Sequence, residues 1–391
     1  MIAAMVMGAC AQQPPLVAPV EARPAPLATA LPHPPTAPGA FDPGPLTITG
    51  RSFERRILGN GLTALAIRDP ANHASQVSVF VVYAVGKRME GPATTGIAHL
   101  TEHAMYAGTA ATPAGQHDAR IHALGGESNA YTRQDVTLYY DARIPVAELA
   151  TVLLLEADRM RGLTFEMAPF EHERQRLVDE EAATVTESQR RDELLESLVF
   201  RAHPYGAGVL DASGHTLAQR LTLEQVRQFY DLWYHPNHAA VVVAGDVEPG
   251  AALAAIERAF APLAAGPSTP PIPREPADMP GGTATVPSPS LTRERVTLAW
   301  VGPALCAGED EQRDRLALDV LGAALSNRKH GERRLLDAGM GSGVDRDLFV
   351  VSTTGRDAER ELRRVLAGVR ERGLDLRELE RERNATLHAV A

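Results

Sequence analysis

The sequence predicts an α+β fold made of two successive units, the second of which stops early. Three observations predict it. Strand-like apolar runs alternate with helix-like patterns up to about residue 263. Eight prolines then crowd residues 264–292, which is typical of a linker. Strand and helix patterns begin again at residue 293 and end at Ala391 before a full repeat is complete.

The elements follow from local patterns taken in chain order. Asn60-Gly61 is a hairpin signal inside 53–69, and the alternation in 77–86 predicts a buried strand. Gly96 and the two threonines before it are candidate N-caps for a helix over 94–107. Further strands are expected over 131–145, 239–247, 293–302 and 347–354, and further helices over 146–160, 170–200, 222–234, 249–260, 310–326, 356–372 and from 375 onward.

Composition excludes several classes of protein and of metal site. The formal net charge is −10, which argues against a nucleic-acid binder. Cys10 and Cys306 are the only cysteines, so neither a disulfide framework nor a thiolate zinc cluster can form. Any metal site must therefore use histidines and carboxylates.

The N-terminus resembles an export signal. Residues 1–9 are small and apolar, and Met-Gly-Ala-Cys, ending at Cys10, resembles a loose bacterial lipoprotein cleavage box. We therefore expect a bacterial periplasmic protein with Cys10 as the residue for a lipid anchor; the alternative is a disordered leader with an incidental cysteine. No run of eighteen apolar residues predicts a transmembrane span. The predicted divisions are leader and tether 1–46, first domain 47–263, linker 264–292 and second domain 293–391.

The stretch His-Leu-Thr-Glu-His at residues 99–103 is a candidate metal motif. On a helix, His99 and His103 project from one face, one turn apart, and Glu102 lies on the same side. Two imidazoles with a nearby carboxylate suit zinc, and the adjacent Glu102 can take a proton from a metal-bound water. The competing interpretation is a pair of surface histidines on an exposed turn.

A catalytic zinc needs a third protein ligand, and four glutamates of the helical run at 170–200 are the candidates. Glu173 and Glu180 lie two turns apart on one face, and Glu181 is turned about a quarter-circle from Glu180. A solvated acidic face is the alternative for all of them. The spacing alone leaves the choice open among Glu173, Glu180, Glu181 and Glu187.

His-x-x-Glu-His is the inverted zinc-binding motif, and "GIAHLTEHAMYAGT" resembles the signature helix of the insulinase/pitrilysin metallopeptidases. Further similar stretches occur in the family's order over roughly residues 50–370: "LGGESNAYTRQDVTLYY", "ERQRLVDEE", "HPYG" and "FYDLWYHPNHAAVVVAGDV". The resemblance implies two homologous metallopeptidase units of the LuxS/processing-peptidase-like α/β-sandwich type, the second incomplete.

The resemblance also implies roles for individual residues. Glu180 matches the family's zinc-binding glutamate, which makes His99, His103 and Glu180 the ligands of one Zn²⁺ per chain and Glu102 the general base. Glu173 becomes a supporting catalytic carboxylate. Asn129 and Ala130 match an edge strand that binds an extended peptide.

The implied activity is zinc-dependent hydrolysis of peptide bonds in peptides or unfolded proteins. The second unit departs from the family where Arg and Tyr grip the substrate, because Leu335 and Ser342 stand at those positions. We therefore expect a sister subunit of the same family, in a hetero- or homodimer. The alternatives are a non-catalytic partner or assembly subunit of this family and metal-dependent chemistry on a small molecule.

Overall fold

The structure, a computed structural model, describes residues 52–69, 74–184, 186–208, 216–270, 283–285, 291–304, 309–330, 333–334, 336–341, 343 and 347–390. These residues form the predicted mixed α/β fold. The strands are β1 (Ser52–Ile57), β2 (Thr63–Arg68), β3 (Gln76–Tyr83), β4 (Glu127–Thr132), β5 (Thr137–Pro145), β6 (Ala239–Gly245), β7 (Glu294–Val301), β8 (Lys329–His330), β9 (Arg333–Arg334), β10 (Asp337–Met340) and β11 (Leu348–Gly355). The helices are α1 (Ile97–Ala104), α2 (Gln116–Ala123), α3 (Leu149–Arg161), α4 (Met167–Thr184), α5 (Glu187–Val199), α6 (Leu223–Trp233), α7 (Pro249–Phe260), α8 (Glu309–Asn327), α9 (Ala358–Arg372) and α10 (Leu376–Val390).

The first six strands form one sheet, in the order β1-β2-β6-β3-β5-β4. The β2–β6 pair is parallel, and the other neighbouring pairs are antiparallel. The strand β4 therefore lies at an edge and pairs only with β5 among the described strands, with Thr132 opposite Thr137. Strand pairs of this kind leave every second backbone N–H and C=O of β4 directed away from the sheet.

One face of this sheet carries the main hydrophobic core. Alternate residues of β3, among them Val79 and Val81, are buried because a strand turns successive side chains to opposite faces. They belong to the same cluster as Leu100 of α1, Leu153 of α3 and Phe260 of α7. The metal motif is thus presented by a helix that is itself part of the core.

The long helical run expected over 170–200 consists of two helices. The helix α4 ends at Thr184, and α5 begins at Glu187 after Thr186, whose hydroxyl accepts a hydrogen bond from the backbone N–H of Gln189. Gln189 accepts in return from the N–H of Thr186, which completes a capping box. This local start signal explains why the chain begins a new helix there.

A second, three-stranded sheet has the order β10-β11-β7 within the described residues. Helices α8 and α9 contribute Leu325 and Leu362 to the core on one face. Its other face contacts the first unit, where Leu348 packs with Phe200 and Tyr205 just after α5. The leader with Cys10 lies outside the described residues, as do Leu335, Ser342 and most of the proline-rich linker. The domain limits stay a prediction.

The helices of the described residues include none with the length and apolar character needed to cross a membrane.

Candidate metal centre

The helix that carries the motif begins at a glycine with an unusual cap. Gly96 precedes α1 with a φ of 87°, a left-handed conformation that favours glycine, and it offers no side chain to the helix start. Glu90 replaces the missing cap: its carboxylate accepts hydrogen bonds from the backbone N–H groups of Gly96 (2.9 Å) and Ala98 (3.1 Å). Burial raises the pKa of Glu90 to about 7, although these two hydrogen bonds act in the opposite direction.

The two histidines and the glutamate of the motif converge. The ring centroids of His99 and His103 are 5.1 Å apart, and Glu102 brings a carboxylate oxygen within 4.8 Å of a ring nitrogen of each. Glu102 and His103 are buried, and His99 is partly exposed. The interpretation as two surface histidines on an exposed turn therefore does not describe this geometry.

Glu180 reaches both imidazoles across the space between α1 and α4. Its Oε2 lies 3.5 Å from Nε2 of His103, and its Oε1 lies 3.9 Å from Nε2 of His99. Ligands at 2.0–2.1 Å from a tetrahedral zinc are roughly 3.3–3.5 Å from one another. The donor set of two imidazole nitrogens and one carboxylate, nearly at this spacing, fits a zinc ion.

The other nitrogen of each imidazole faces a second carboxylate. Glu181 Oε1 is 3.6 Å from Nδ1 of His99, and Glu173 Oε2 is 3.6 Å from Nδ1 of His103. Burial lowers the pKa of His99, but the hydrogen bond to Glu181 and the surrounding carboxylates outweigh it, so this pKa lies above its ordinary value. Carboxylates placed in this way orient metal-binding imidazoles and select their tautomer.

Glu173 and Glu181 are each held in place by a hydrogen bond from another side chain. Burial raises the pKa of Glu173, but hydrogen bonding to His103 and the charge of Arg176 bring it below its ordinary value. The guanidinium of Arg176 donates to Glu173 Oε2 at 2.9 Å. The hydroxyl of Thr216 donates a short hydrogen bond to the buried Glu181.

Glu102 points towards the edge strand. The Thr132 hydroxyl on β4 donates to Glu102 Oε2 at 2.6 Å. On the same strand, Ala130 is partly buried against the core and Asn129 is exposed. The side-chain Oδ1 of Asn129 accepts from the backbone N–H of Ala130 at 2.8 Å. The strand chosen as the peptide-binding edge therefore lies beside the proposed general base.

Three of the four candidate carboxylates of the helical run, Glu173, Glu180 and Glu181, face the two imidazoles, whereas Glu187 begins α5, beyond the end of α4. The structure brings together His99, Glu102, His103, Glu173 and Glu180, and it adds Glu181 as a neighbour of His99. The spacing left Glu181 open as a candidate ligand, and only the family resemblance preferred Glu180 to it. The two nitrogens of an imidazole point in different directions, however, so consecutive glutamates can face the same ring. Thr132 and Glu90 were missed, because their contacts depend on tertiary packing.

A second buried group of potential ligands lies between α2, β5 and α3. His117 Nε2 is 3.2 Å from Asp141 Oδ1 and 3.6 Å from Glu156 Oε1. The guanidinium of Arg159 forms a short ion pair with that same oxygen of Glu156. Burial, followed by the charge of Arg159, lowers the pKa of His117 to about 4. The buried guanidinium of Arg159 thus already supplies a positive charge to this group through Glu156, which favours an ion-pair network over a metal site.

Comparison with known proteins gives the family. The model of the insulinase family, peptidase family M16, matches residues 63–213, and the model of the peptidase M16 inactive domain matches residues 220–386. This chain belongs to peptidase family M16. The first match contains the metal motif and the acidic residues of α4.

Among M16 relatives, the chain is 31% identical over 287 residues to the zinc protease PqqE of Helicobacter pylori, covering 70% of this chain and 60% of that protein. It is 28% identical over 281 residues to an uncharacterized zinc protease of Rickettsia felis, covering 71% of this chain and 65% of that one. The chain therefore spans less than two thirds of the length of these relatives.

Solved structures of M16 proteins share the fold. A protease from Helicobacter pylori has a TM-score of 0.74 at 25% identity, covering 85% of this chain and 83% of that one. An M16-like peptidase from Alicyclobacillus acidocaldarius has a TM-score of 0.70 at 23% identity, covering 88% and 85%. The periplasmic protease PqqL of Escherichia coli has a TM-score of 0.67 at 22% identity, covering 87% and 40%.

Proposed function

We propose that this M16 chain is a zinc-dependent metalloendopeptidase that hydrolyses peptide bonds in peptides or unfolded proteins. One observation carries the proposal: the carboxylate of Glu180 lies 3.5 Å from Nε2 of His103 and 3.9 Å from Nε2 of His99, which is close to the spacing of zinc ligands. Relatives named zinc proteases give it independent support.

His99, His103 and Glu180 would hold the ion, one per chain. When bound, zinc polarises a carbonyl oxygen and makes a neighbouring water more acidic. Glu102 accepts the proton of the attacking water and passes it to the leaving amine. Glu173 and Glu181 hold the imidazoles of His103 and His99 in one orientation, in which both Nε2 atoms face the carboxylate of Glu180.

The substrate would add to β4 as an extended strand. The outer edge of β4 has no strand partner among the described residues, and main-chain hydrogen bonds at such an edge bind peptides with little dependence on sequence. The N–H of Ala130 is engaged by the Asn129 side chain. A peptide carbonyl that binds there would displace the Asn129 amide oxygen, so both residues take part in recognition.

The exposure of the metal centre supports a sister subunit of the same family, in a hetero- or homodimer. The side chain of Glu180 is 50% exposed, so the centre is open to solvent on that side. A second subunit that covers this opening would keep bulk water away from the reacting groups.

We place the protein in the bacterial periplasm. The solved structure of the related PqqL is that of a periplasmic protease, and the leader-like N-terminus is consistent with export. The lipid attachment at Cys10 stays a prediction.

A second candidate is a non-catalytic partner or assembly subunit. The match of residues 220–386 to the inactive domain of the family favours it. The complete set of two histidines and a facing glutamate favours the enzyme. Zinc content separates the two, because a non-catalytic subunit has no need of a metal at this centre.

The test is the substitution Glu102→Gln, which keeps the shape of the side chain and removes the base. We expect zinc content to be unchanged and peptide hydrolysis to fall by about 10²–10⁴-fold, the usual contribution of a general base. Glu171→Gln on α4 is the matched control and should retain activity, because this half-buried carboxylate pairs with Arg174. Cleavage by Glu102→Gln at the parental rate would refute the mechanism, and a parent chain without zinc at neutral pH would favour the non-catalytic subunit.

A further inference from the structure

Thr132 makes the closest polar contact that the structure gives Glu102. It is the last residue of β4, and its hydroxyl lies 2.6 Å from Glu102 Oε2. Glu102 is only 6% exposed, so water has little access to compete for this oxygen. Hydrogen bonds to a carboxylate in such surroundings are stronger than those between neutral groups.

The direction of this hydrogen bond follows from the partners of the neighbouring hydroxyl, which belongs to Thr137. The Thr132 hydroxyl is also 3.3 Å from the Thr137 hydroxyl, which donates to the backbone carbonyl of Val85 at 2.9 Å. A hydroxyl has one hydrogen, so Thr137 has none left for Thr132. Thr132 has one hydrogen as well, and the shorter contact to a charged acceptor takes it. Thr132 is therefore a fixed donor to Oε2.

We propose that Thr132 is a positioning residue for Glu102. Its donated hydrogen bond keeps Oε2 as an acceptor and fixes the rotation of the carboxylate. Oε1 is then the oxygen that takes the proton from water and returns it to the leaving amine. This inference rests on the proposed function, in which Glu102 is the general base.

The position of Thr132 on β4 also relates the general base to the peptide-binding edge. Residues two apart on a strand share a face, so Ala130 and Thr132 both face α1, and Ala130 belongs to the edge where the peptide would bind. The substrate backbone and the general base are thus both aligned by β4. Small misalignments between reacting groups lower rates strongly, so one shared strand is an effective way to limit them.

The test compares Thr132→Val and Thr132→Ser with the parent in the zinc-loaded full chain. Valine keeps the shape and removes the hydroxyl, whereas serine keeps the hydroxyl. Loss of a hydrogen bond to a charged group corresponds to about a tenfold to hundredfold effect. We expect kcat of Thr132→Val to fall by that factor, with KM and zinc content essentially unchanged. Thr132→Ser should recover most of the rate.

Thr101→Val is the matched control. Thr101 is buried on α1 next to Glu102, but its hydroxyl donates within the helix to the carbonyl of Ile97 at 2.7 Å. The same chemical change there should leave kcat close to that of the parent. Crystal structures supply a readout besides activity: Glu102 should keep one carboxylate orientation in Thr132→Ser and lose it in Thr132→Val.

Two results would overturn the inference while the proposed function stands. One is a Thr132→Val variant with the kcat of the parent, and the other is a Thr132→Ser variant as impaired as Thr132→Val, which would indicate packing. A parent chain without zinc-dependent hydrolysis would instead refute the proposed function, and the role of Thr132 with it.

Discussion

At the scale of single residues, the centre separates binding groups from orienting groups. Glu180 and Glu181 are neighbours in sequence, yet they face different nitrogens of His99. Glu180 is half exposed, whereas Glu181 is buried and accepts from Thr216. The exposed Glu180 suits a metal ligand in a site that also admits substrate. The buried Glu181 suits a residue that holds His99 in a fixed orientation.

The supporting role of Glu173 and Glu181 can be measured through metal affinity. Glu173→Gln and Glu181→Gln remove the negative charge that faces each Nδ1 and should weaken zinc binding by about 10–100-fold. Competition with a chromogenic chelator measures this without any substrate. Asp179→Asn on the same helix, where the carboxylate accepts from Gln175 on an exposed face, is the control. Unchanged affinity in both glutamine variants would contradict the assignment.

At the scale of elements, α1 is held at its start by a residue outside the helix. Gly96 has no side chain to accept from the first N–H groups, so the buried Glu90 does so from six positions upstream. A helix of eight residues has little stability of its own, and a cap is a large part of what fixes its position. Glu90 therefore supports the motif without contacting the metal-binding atoms.

The contribution of this cap should be visible in stability. Glu90→Ala leaves two buried N–H groups without an acceptor and should lower the free energy of unfolding by about 1–3 kcal/mol. Glu248→Ala is a suitable control, because Glu248 precedes α7 in the N-cap position, makes no capping hydrogen bond and is exposed. Urea unfolding of both variants measures the effect. Equal stability of the two would show that Glu90 is not an effective cap.

The sequence predicts most elements because their signals are local. The alternation of β3 and the capping box of α6, formed by Thr222 and Gln225, depend on neighbouring residues alone, and the limits of both elements differ from expectation by a few residues. The short α2 was missed, and the edge strand β4 was expected only from the family resemblance, since the polar residues of both elements have no clear period. The position of β4 beside α1 is set by pairing with β5, and no local pattern contains that information.

The residues of the candidate site also divide into those that local sequence predicts and those that depend on tertiary packing. His99, Glu102 and His103 could be predicted because helical geometry alone brings them together. Glu180 needed the resemblance to a family, because it comes from a different helix. Thr132 and Glu90 were beyond both kinds of reasoning, since their roles follow from where β4 and the residues before α1 pack.

At the scale of the whole molecule, the end of α5 and the residues after it pack against the second unit. Phe200 at the end of α5 and Tyr205 pack against Leu348 of the second sheet. The Tyr205 hydroxyl donates to Asp135 at 2.5 Å, in the turn between β4 and β5. Asp135 also pairs with Arg88, which lies two residues before Glu90. The second sheet, the edge strand and the cap of α1 are therefore joined through a few buried contacts.

Global stability should respond to pH through two buried groups that act in opposite directions. The pKa of His117 falls from 6.5 to about 4 in the fold, so only the unfolded chain holds this proton between these values. Stability from His117 is therefore lost as pH falls through this window. The pKa of Glu90 rises from 4.5 to about 7, so only the folded chain holds that proton, and stability from Glu90 is lost as pH rises.

Between about pH 4.5 and 6.5 these two slopes oppose each other, each amounting to at most about 1.4 kcal/mol per pH unit. Replacing His117 by Gln removes one of them. Urea unfolding at pH 5.0, 5.75 and 6.5 should then show the variant losing stability with rising pH relative to the parent, because the Glu90 contribution is no longer offset. A difference between variant and parent that stays constant across this range would mean that His117 is not kept neutral by the fold. Adding Glu90→Gln should make the slope of the variant shallower, and the size of that change measures the contribution of Glu90.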